Sequence, residues 1–243
     1  MDSDNNAQGL SKETWRKVIQ AIEDSIPLYD HVNDLISFGK AQVARIYAVE
    51  NLQLNVDSVV LDGGIGPGTT SRLIFAKIKP SMLIGLDGSP KQLETAKVNL
   101  REYRDSLHLV NASFEYLPFR DRILDGIITC YALRDSLDLS RSISEYSRVC
   151  SEHGVFADVD IGKSDNAIKR WMSILYIKHL MPLLAKMAIR RQIRGNPWRM
   201  IAPTYDTLPT NVSLMELMKN HFAKMRTKEF LNGGIIVIIG RKY

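Results

Sequence analysis

Residues 59–87 read VVLDGGIGPGTTSRLIFAKIKPSMLIGLD, and this stretch decides the fold. Val59, Val60 and Leu61 are β-formers in a continuous apolar run, the pattern of a buried parallel strand. At its carboxyl end Asp62, Gly64, Gly66 and Gly68 alternate as D-x-G-x-G-x-G. Glycines at such a turn let the backbone pass close to a ligand. The helix predicted over about 69–79, closed by Pro80, opens with free N–H groups pointing back at the crevice. Leu83 to Leu86 is a second short strand, and Asp87 ends it, where a carboxylate can accept both hydroxyls of a ribose. Strand, glycine turn, helix and a second strand closing on an acid form a doubly wound unit, which holds its ligand at the strand ends beside the switch point.

A dinucleotide loop, G-x-G-x-x-G, needs glycine where this chain has Thr69, and the Gly-Lys-Ser/Thr of a P-loop is absent. The loop with Asp87 resembles instead the first two motifs of class I S-adenosylmethionine-dependent methyltransferases. A ligand-free turn that merely uses glycines is the weaker reading once loop and acid are taken together.

Upstream, residues 1–10 are polar and expected to be disordered. Ser11 caps a predicted helix to about Ser25, with Trp15, Val18, Ile19 and Ile22 at helical spacing, and Pro27 breaks it. Tyr29 to Gly39 has no clean amphipathic pattern and leads into a helix over about 40–53. Downstream, Ser89-Pro90 opens a helix to about Tyr103. Leu107 to Val110 is a third strand, Ile123 to Cys130 a fourth, Ser140 to Cys150 a helix and Val155 to Asp160 a fifth strand. This alternation implies right-handed crossovers in a mostly parallel sheet. Residues 164–208 interrupt it: Ile168, Trp171, Met172, Leu175 and Ile177 fit one helix, Pro182 interrupts it, and a second helix carries Leu183, Leu184, Met187 and Ile193. Beyond Pro197, Pro203 and Pro209, a helix near 212–220 leads to strands near 224–231 and 234–240, with Gly233-Gly234 as their turn. There is no internal repeat or low-complexity segment.

The expected architecture is α/β: a doubly wound, mostly parallel seven-stranded sheet of Rossmann-like class I methyltransferase type, with a C-terminal antiparallel hairpin and a helical lid. An N-terminal helical cap spans 1–54, and the methyltransferase domain spans 55–243 with a helical insertion at about 164–208.

At 243 residues, 45% apolar and 24% charged, the chain suits one soluble α/β domain with an added lid, or at most two small domains, with room for a full core. Cys130 and Cys150 give neither a metal nor a disulfide framework, so no metal and a reducing, cytoplasmic setting are expected. No N-terminal segment resembles a signal peptide, and no apolar run reads as long enough to span a bilayer. The net charge of +5 is uneven: Lys163 to Arg199 holds nine Lys/Arg and one acid, Asp165, a local +8 that leaves the remainder at −3. Lys186, Arg190 and Arg194 share a helical face within it. Basic character confined to one insertion disfavours a nucleic-acid binder.

Three further stretches narrow the resemblance. Tyr29-Asp30-x-x-Asn33-Asp34-Leu35-x-Ser37-Phe38-Gly39 resembles the N-terminal signature of the ubiquinone/menaquinone biosynthesis C-methyltransferase family. Leu133-Arg134-Asp135 resembles that family's Leu-Arg-Asn segment after the fourth strand, and Gly233-Gly234-Ile235-Ile236-Val237 with Arg241-Lys242 its C-terminal hairpin. With Leu117-Pro118-Phe119, the similarity runs from about residue 28 to the end. The resemblance implies S-adenosylmethionine as cofactor, leaving as S-adenosylhomocysteine. It puts Asp62, Gly64, Gly66 and Gly68 along the methionine end, Asp87 with Gly88 at the ribose, Ser113 and Phe114 at the adenine, and Cys130 where the fourth strand meets the cofactor. It implies C-methylation of a quinone-type or prenylated aromatic acceptor. The chain departs from its relatives at Ser113, where many carry Asp or Asn, at Asp135 in place of Asn, and at Pro203-Thr204 in place of Glu-Ser. Trp198-Arg199 matches only loosely. The acceptor pocket is therefore where the chain differs most.

Methyl transfer is an in-line attack on a sulfonium carbon, so the protein must orient two reactants and exclude water. An aromatic carbon attacks well when a ring hydroxyl ionises, and a cation near that oxygen stabilises the phenolate. Arg134 is the candidate cation, with a surface pair to Asp135 or Asp138 as the bland alternative. His31 has the intrinsic pKa of a base, although a surface or packing histidine is the stronger reading. Asp160 could take a phenol proton or orient Arg134, and Tyr29 and Tyr131 could stack on the acceptor or hydrogen-bond to it. A nucleophilic Cys130 is weaker than a small residue packed under the cofactor, since nothing in the sequence beside it lowers a thiol pKa. The Asn/Asp-Pro-Pro-aromatic motif of exocyclic-amine methyltransferases is missing.

Rival functions are O- or N-methylation of another small molecule, or a non-catalytic cofactor-binding adapter whose basic arm docks RNA or protein. The basic insertion is either a solvated lid face or a patch resting on anionic lipid while Trp171, Ile174, Leu175 and Leu184 open a path for a prenyl tail. The second is favoured, which gives peripheral membrane contact. A homodimer is compatible with either.

Overall fold

The computed structural model describes residues 9–189, 193 and 195–242. The tail before residue 9, and Arg190 and Arg194 of the basic face, lie outside them. Strands β1 (Val59–Gly63), β2 (Met82–Asp87), β3 (Leu107–Asn111), β4 (Leu124–Cys130), β5 (Cys150–Ile161), β6 (Ala223–Phe230) and β7 (Ile235–Arg241) form one sheet in the order β3-β2-β1-β4-β5-β7-β6. The first five are parallel, and β7 is antiparallel to both its neighbours. The chain moves outward from β1 to β3 and returns on the other side at β4, so order reverses between β1 and β4. There Asp62 pairs with Ile128 and Gly63 with Thr129, and this switch point is where a doubly wound sheet has its ligand crevice.

Alternate residues of the strands feed two cores. Leu61, Ile127, Phe156 and Ile238 face α6 (Leu139–Val149) and α10 (Asn211–Lys219), while Val60, Ile128, Ala157 and Val237 face α3 (Lys40–Asn51) and α4 (Thr69–Lys77). Ser11, Ser89, Asp138, Asn166 and Thr210 each cap a helix by accepting a first-turn N–H.

A third core joins pieces distant in sequence. Val32 and Ile36 of α2 (Tyr29–Ile36) pack with Ile177, Met181, Ala185, Ile189, Trp198 and Tyr205. The Trp198 indole donates to Asn33 Oδ1 at 2.8 Å, and the Tyr176 hydroxyl to the Ile36 carbonyl. The segment without a clean amphipathic pattern is thus largely helical. Its polar residues Asp30, Asn33 and Asp34 line a cavity, and Asp30 and Asp34 are also exposed to solvent.

Pro182 does not divide the insertion into two helices. α7 (Ala167–Leu175), a π turn (Tyr176–Leu180) and α8 (Met181–Ile189) run as one helix of 23 residues. Proline at 182 has no N–H to donate, and the Met181 N–H reaches back five residues to the Tyr176 carbonyl, so a widened turn absorbs it. Because the helix is continuous, it is long and apolar enough to cross a membrane by length and composition alone, contrary to the sequence expectation.

Candidate active site

β1 delivers Asp62 to the floor of the crevice. It is fully buried: Oδ2 accepts the Ser71 hydroxyl at 2.6 Å, and Oδ1 has no hydrogen-bond partner. Burial pushes its carboxyl up to about 6, against the Ser71 bond and the Arg45 charge. The loop then turns through Gly64 (φ +78°) and Gly66 (φ +53°). A Cβ on Gly64 would lie 2.3 Å from that of Ala132, so the turns after β1 and β4 meet only because the side chain is missing. A Cβ on Gly66 would have nothing nearer than 4.0 Å, which leaves room for a ligand against the backbone. Gly68 caps α4.

Asp87 accepts the N–H groups of Gly66 and Ser89, both at 2.9 Å. Burial raises its pKa, the two bonds oppose that, and each oxygen keeps a lone pair for a hydroxyl. Phe114 closes the far wall against Gly64 and the Tyr146 ring, with half-buried Ser113 before it. Cys130 is buried below, its thiol pushed up to about 12 by burial, so it holds its proton at neutral pH. Overhead runs α1 (Lys12–Ser25). The Leu10 N–H donates to the Ser136 carbonyl at 2.9 Å, a Cβ on Gly88 would be 3.5 Å from the Trp15 ring, and Ser89 Oγ donates to Glu23 at 2.6 Å. The first helix therefore roofs the crevice from the β4 side to the β2 side.

Past Thr69 and Tyr131 a cavity of about 690 Å³ continues under the helical layer. Tyr131 has φ +59°, a strained conformation for an aromatic residue, and its ring lies 5.5 Å from the Arg45 guanidinium carbon. Arg45 is buried, and its partners are neutral: Nε donates to Thr70 Oγ1 at 3.1 Å and a terminal nitrogen to Gln42 Oε1 at 2.6 Å. Asp160 accepts three bonds, from the Arg134 backbone N–H (3.0 Å), the Arg134 guanidinium (2.9 Å) and the Ile161 N–H (2.7 Å). Its carboxylate is occupied in holding Arg134, which bears on the orienting role and leaves little for a phenol proton. Burial opposes charge on Arg134, but Asp135 and Asp160 outweigh it and keep the guanidinium protonated.

Asp135 differs from Asp160. It is buried in the cavity wall 3.6 Å from Arg134 Nε, and its Oδ1 has no hydrogen-bond partner. Burial pushes it up to about 6, with Arg134 opposing. Tyr29 lines the same cavity, and burial raises its phenol pKa against the charges of Arg134 and Arg45. His31 is exposed and not among the cavity residues, so it stands apart from this group.

Sequence reasoning missed Arg45, Trp15 and Glu23. Arg45 had a signal: with Ala41, Ala44 and Ala48 it shares the buried stripe of α3, an odd place for a cation. The orphaned Asp62 oxygen and the Arg45 guanidinium, which has only neutral partners, fit a ligand bringing an ammonium and a carboxylate together. The methionine end of S-adenosylmethionine is such a ligand.

Residues 8–242 match the ubiE/COQ5 methyltransferase family. The demethylmenaquinone methyltransferase of Staphylococcus haemolyticus is 26% identical over 242 residues, covering 99% of this chain and 97% of that one. The 2-phytyl-1,4-naphtoquinone methyltransferase of a Nostoc species is 26% identical over 228 residues, 90% and 97% of the two chains. Among solved structures, a putative S-adenosyl-L-methionine-dependent methyltransferase from Methanococcus maripaludis has the same fold, with a TM-score of 0.60 at 18% identity over 90% of this chain and 93% of that one. The chain belongs to the ubiE/COQ5 methyltransferase family and is a class I S-adenosylmethionine-dependent methyltransferase.

Proposed function

We propose that this enzyme methylates a ring carbon of a quinone-type hydroxylated aromatic acceptor bearing an apolar tail. One observation carries the reading: the buried Arg134–Asp135 pair lies in the wall of a cavity that Ile36, Phe38, Met172, Ile177 and Met181 also line, with Asp30, Asn33 and Asp34 among its polar residues. That is an ionising device inside an apolar pocket, of a size that suits a ring and the start of a tail. The names of the Staphylococcus and Nostoc relatives point to the same acceptor class.

S-adenosylmethionine supplies an electrophilic methyl group on a sulfonium. The chain supplies the rest. Asp62 and Arg45 hold the two charges of its methionine end, Asp87 the ribose, and α1 keeps water out. Asp135 takes the proton of the acceptor hydroxyl, and Arg134, fixed by Asp160, stabilises the oxygen as its charge develops. Once the carbon is methylated, the ring carbon sheds its own proton to restore aromaticity and Asp135 returns its proton to the oxygen. Asparagine, the residue the resemblance gives for position 135, could only hydrogen-bond there.

Because Asp135 titrates at about 6, its active, ionised form is lost as pH falls through that value. Asp135→Asn should lower kcat on a demethylated hydroquinone about 100-fold and abolish the acidic limb of the pH profile, with donor affinity unchanged. An acidic limb that survives in the variant rules out Asp135 as the base. Absence of labelled-methyl transfer to any hydroquinone, with donor binding intact, overturns the acceptor class.

A further inference from the structure

We infer that the outer face of the α7–α8 helix rests on an anionic bilayer surface, and that the acceptor's tail passes from that surface into the cavity. The second clause rests on the function proposed above; the first stands on the surface itself.

Ile168, Trp171, Met172 and Leu175 follow the three-and-four spacing of one helical face, and all are exposed, Ile168 to 71% and Trp171 to 60%. In an unbroken α-helix the next position on that face is His179. The π turn at Tyr176–Leu180 inserts one residue, so the face resumes at Leu180 and continues through Leu183 and Met187, which is 66% exposed. The turn that accommodates Pro182 thus keeps an exposed apolar stripe in line along 23 residues. Ile177, Met181, Ala185 and Ile189, on the opposite side, are buried in the third core. Ile174 and Leu184, which the sequence reading assigned to the tail path, also pack against that core and are not part of the stripe.

A contiguous exposed apolar stripe on a globular protein marks a contact surface. Charge selects the occupant. The segment from Lys163 to Arg199 carries +8 against −3 elsewhere, and Lys169 and Lys186 are exposed along this helix, while Lys178 pairs with Asp206 at 3.1 Å. An anionic lipid surface attracts such a face and orients the molecule through the charge asymmetry. A helix with one face packed in the protein and lysines along its flanks lies in the interface instead of spanning it. The cavity opens toward the same side: Met172 belongs both to the stripe and to the cavity wall, and Phe38, 63% exposed and tilted on the Tyr176 ring at 6.1 Å, also lines the cavity.

Flotation of the full chain with vesicles tests this. The protein should float with phosphatidylglycerol-containing vesicles, at least 10-fold less with pure phosphatidylcholine, and at least 10-fold less when Trp171→Ser, Leu183→Ser and Met187→Ser are combined. Donor affinity and melting temperature should not change, because none of the three side chains lines the cavity or belongs to the buried core. Should the triple variant misfold, brominated lipids give a second readout: they should quench tryptophan fluorescence in the wild type and not in Trp171→Phe, since Trp198 is buried and Trp15 lies over the crevice. Wild-type protein that stays soluble, equal binding to neutral vesicles, or a dimer that the triple variant dissociates without any vesicle binding would each overturn the inference. The tail clause has its own arm: the triple variant should methylate a short-tailed soluble hydroquinone normally and a long-tailed one in vesicles at least 10-fold more slowly. Flotation without transfer to either acceptor would sink the proposed function and leave the docking surface standing.

Discussion

The donor crevice and the acceptor cavity are built in opposite ways. In the floor of the crevice the bonds that shape the site are short in sequence, Ser71 to Asp62 across 9 residues and Gly66 to Asp87 across 21, while its roof reaches further, Ser89 to Glu23 across 66. In the cavity they are long: Arg134 to Asp160 across 26, Tyr176 to Ile36 across 140, Trp198 to Asn33 across 165. A site folded from one βαβ unit forms with the sheet and resists change. A site assembled from an N-terminal helix and a distant insertion can be reshaped by substitution at either without disturbing the donor.

That contrast can be broken at Asp160. Asp160→Ala leaves the buried Arg134 charge with Asp135 as its remaining acid, and losing one partner of a buried pair costs about 3–5 kcal/mol. The expected outcome is the largest loss of urea stability of any site substitution and a collapse of turnover, with donor affinity of the folded fraction preserved. Donor binding that falls in step with turnover, measured by calorimetry, would mean that the two sites are one unit.

Arg45 sharpens the contrast, because it stands between them. It comes from the cap side, on α3, yet its Nε bond goes to Thr70 in the first turn of the donor helix. Arg45→Met should weaken S-adenosylmethionine binding about 30-fold, the equivalent of about 2 kcal/mol for a lost charged hydrogen bond, with the acceptor KM little changed. Arg45→Lys should recover part of it. Arg45 also lines the cavity, and a raised acceptor KM with normal donor affinity would mean that it serves the acceptor instead.

The same contrast explains what the sequence disclosed. Asp62, Gly64, Gly66 and Asp87 are spaced by the covalent chain, and their meeting follows from one strand–turn–helix–strand unit. The β/α alternation likewise led to the sheet, including the antiparallel β7. Residues 29–36 resisted because their polar side does two jobs: Asp30 and Asp34 are exposed to solvent, yet with Tyr29 and Asn33 they also line a cavity, which no water-facing pattern discloses. Once the segment is helical, the rest follows: Tyr29, Asp30, Asn33 and Asp34 share a face at one- and four-residue spacing, and His31 is on another. Pro182 misled because a proline stops an α-helix but not one that widens by a residue. That α1 returns over the crevice depends on Leu10 and Glu23 finding Ser136 and Ser89, contacts that no local pattern encodes.

The remaining expected effect is on stability, and it has the opposite sign. Asp62 is buried with one oxygen unpartnered, and its pKa in the folded chain is about 6 against an ordinary 3.8. The folded state binds this proton more tightly than the unfolded chain does. Ionising the group therefore destabilises the fold progressively as pH rises from about 4 to about 6, and the full penalty, roughly 2–3 kcal/mol, persists above that. Asp62→Asn removes the charge while its amide oxygen can still accept the Ser71 hydroxyl. The variant should melt several degrees higher than wild type at pH 8, about equally at pH 4, and bind S-adenosylmethionine poorly. A variant less stable at both pH values would mean that the carboxylate serves the fold through Ser71. A variant more stable only at high pH would mean that the crevice keeps an unsatisfied charge in the empty protein, and that the ammonium of the donor relieves it on binding.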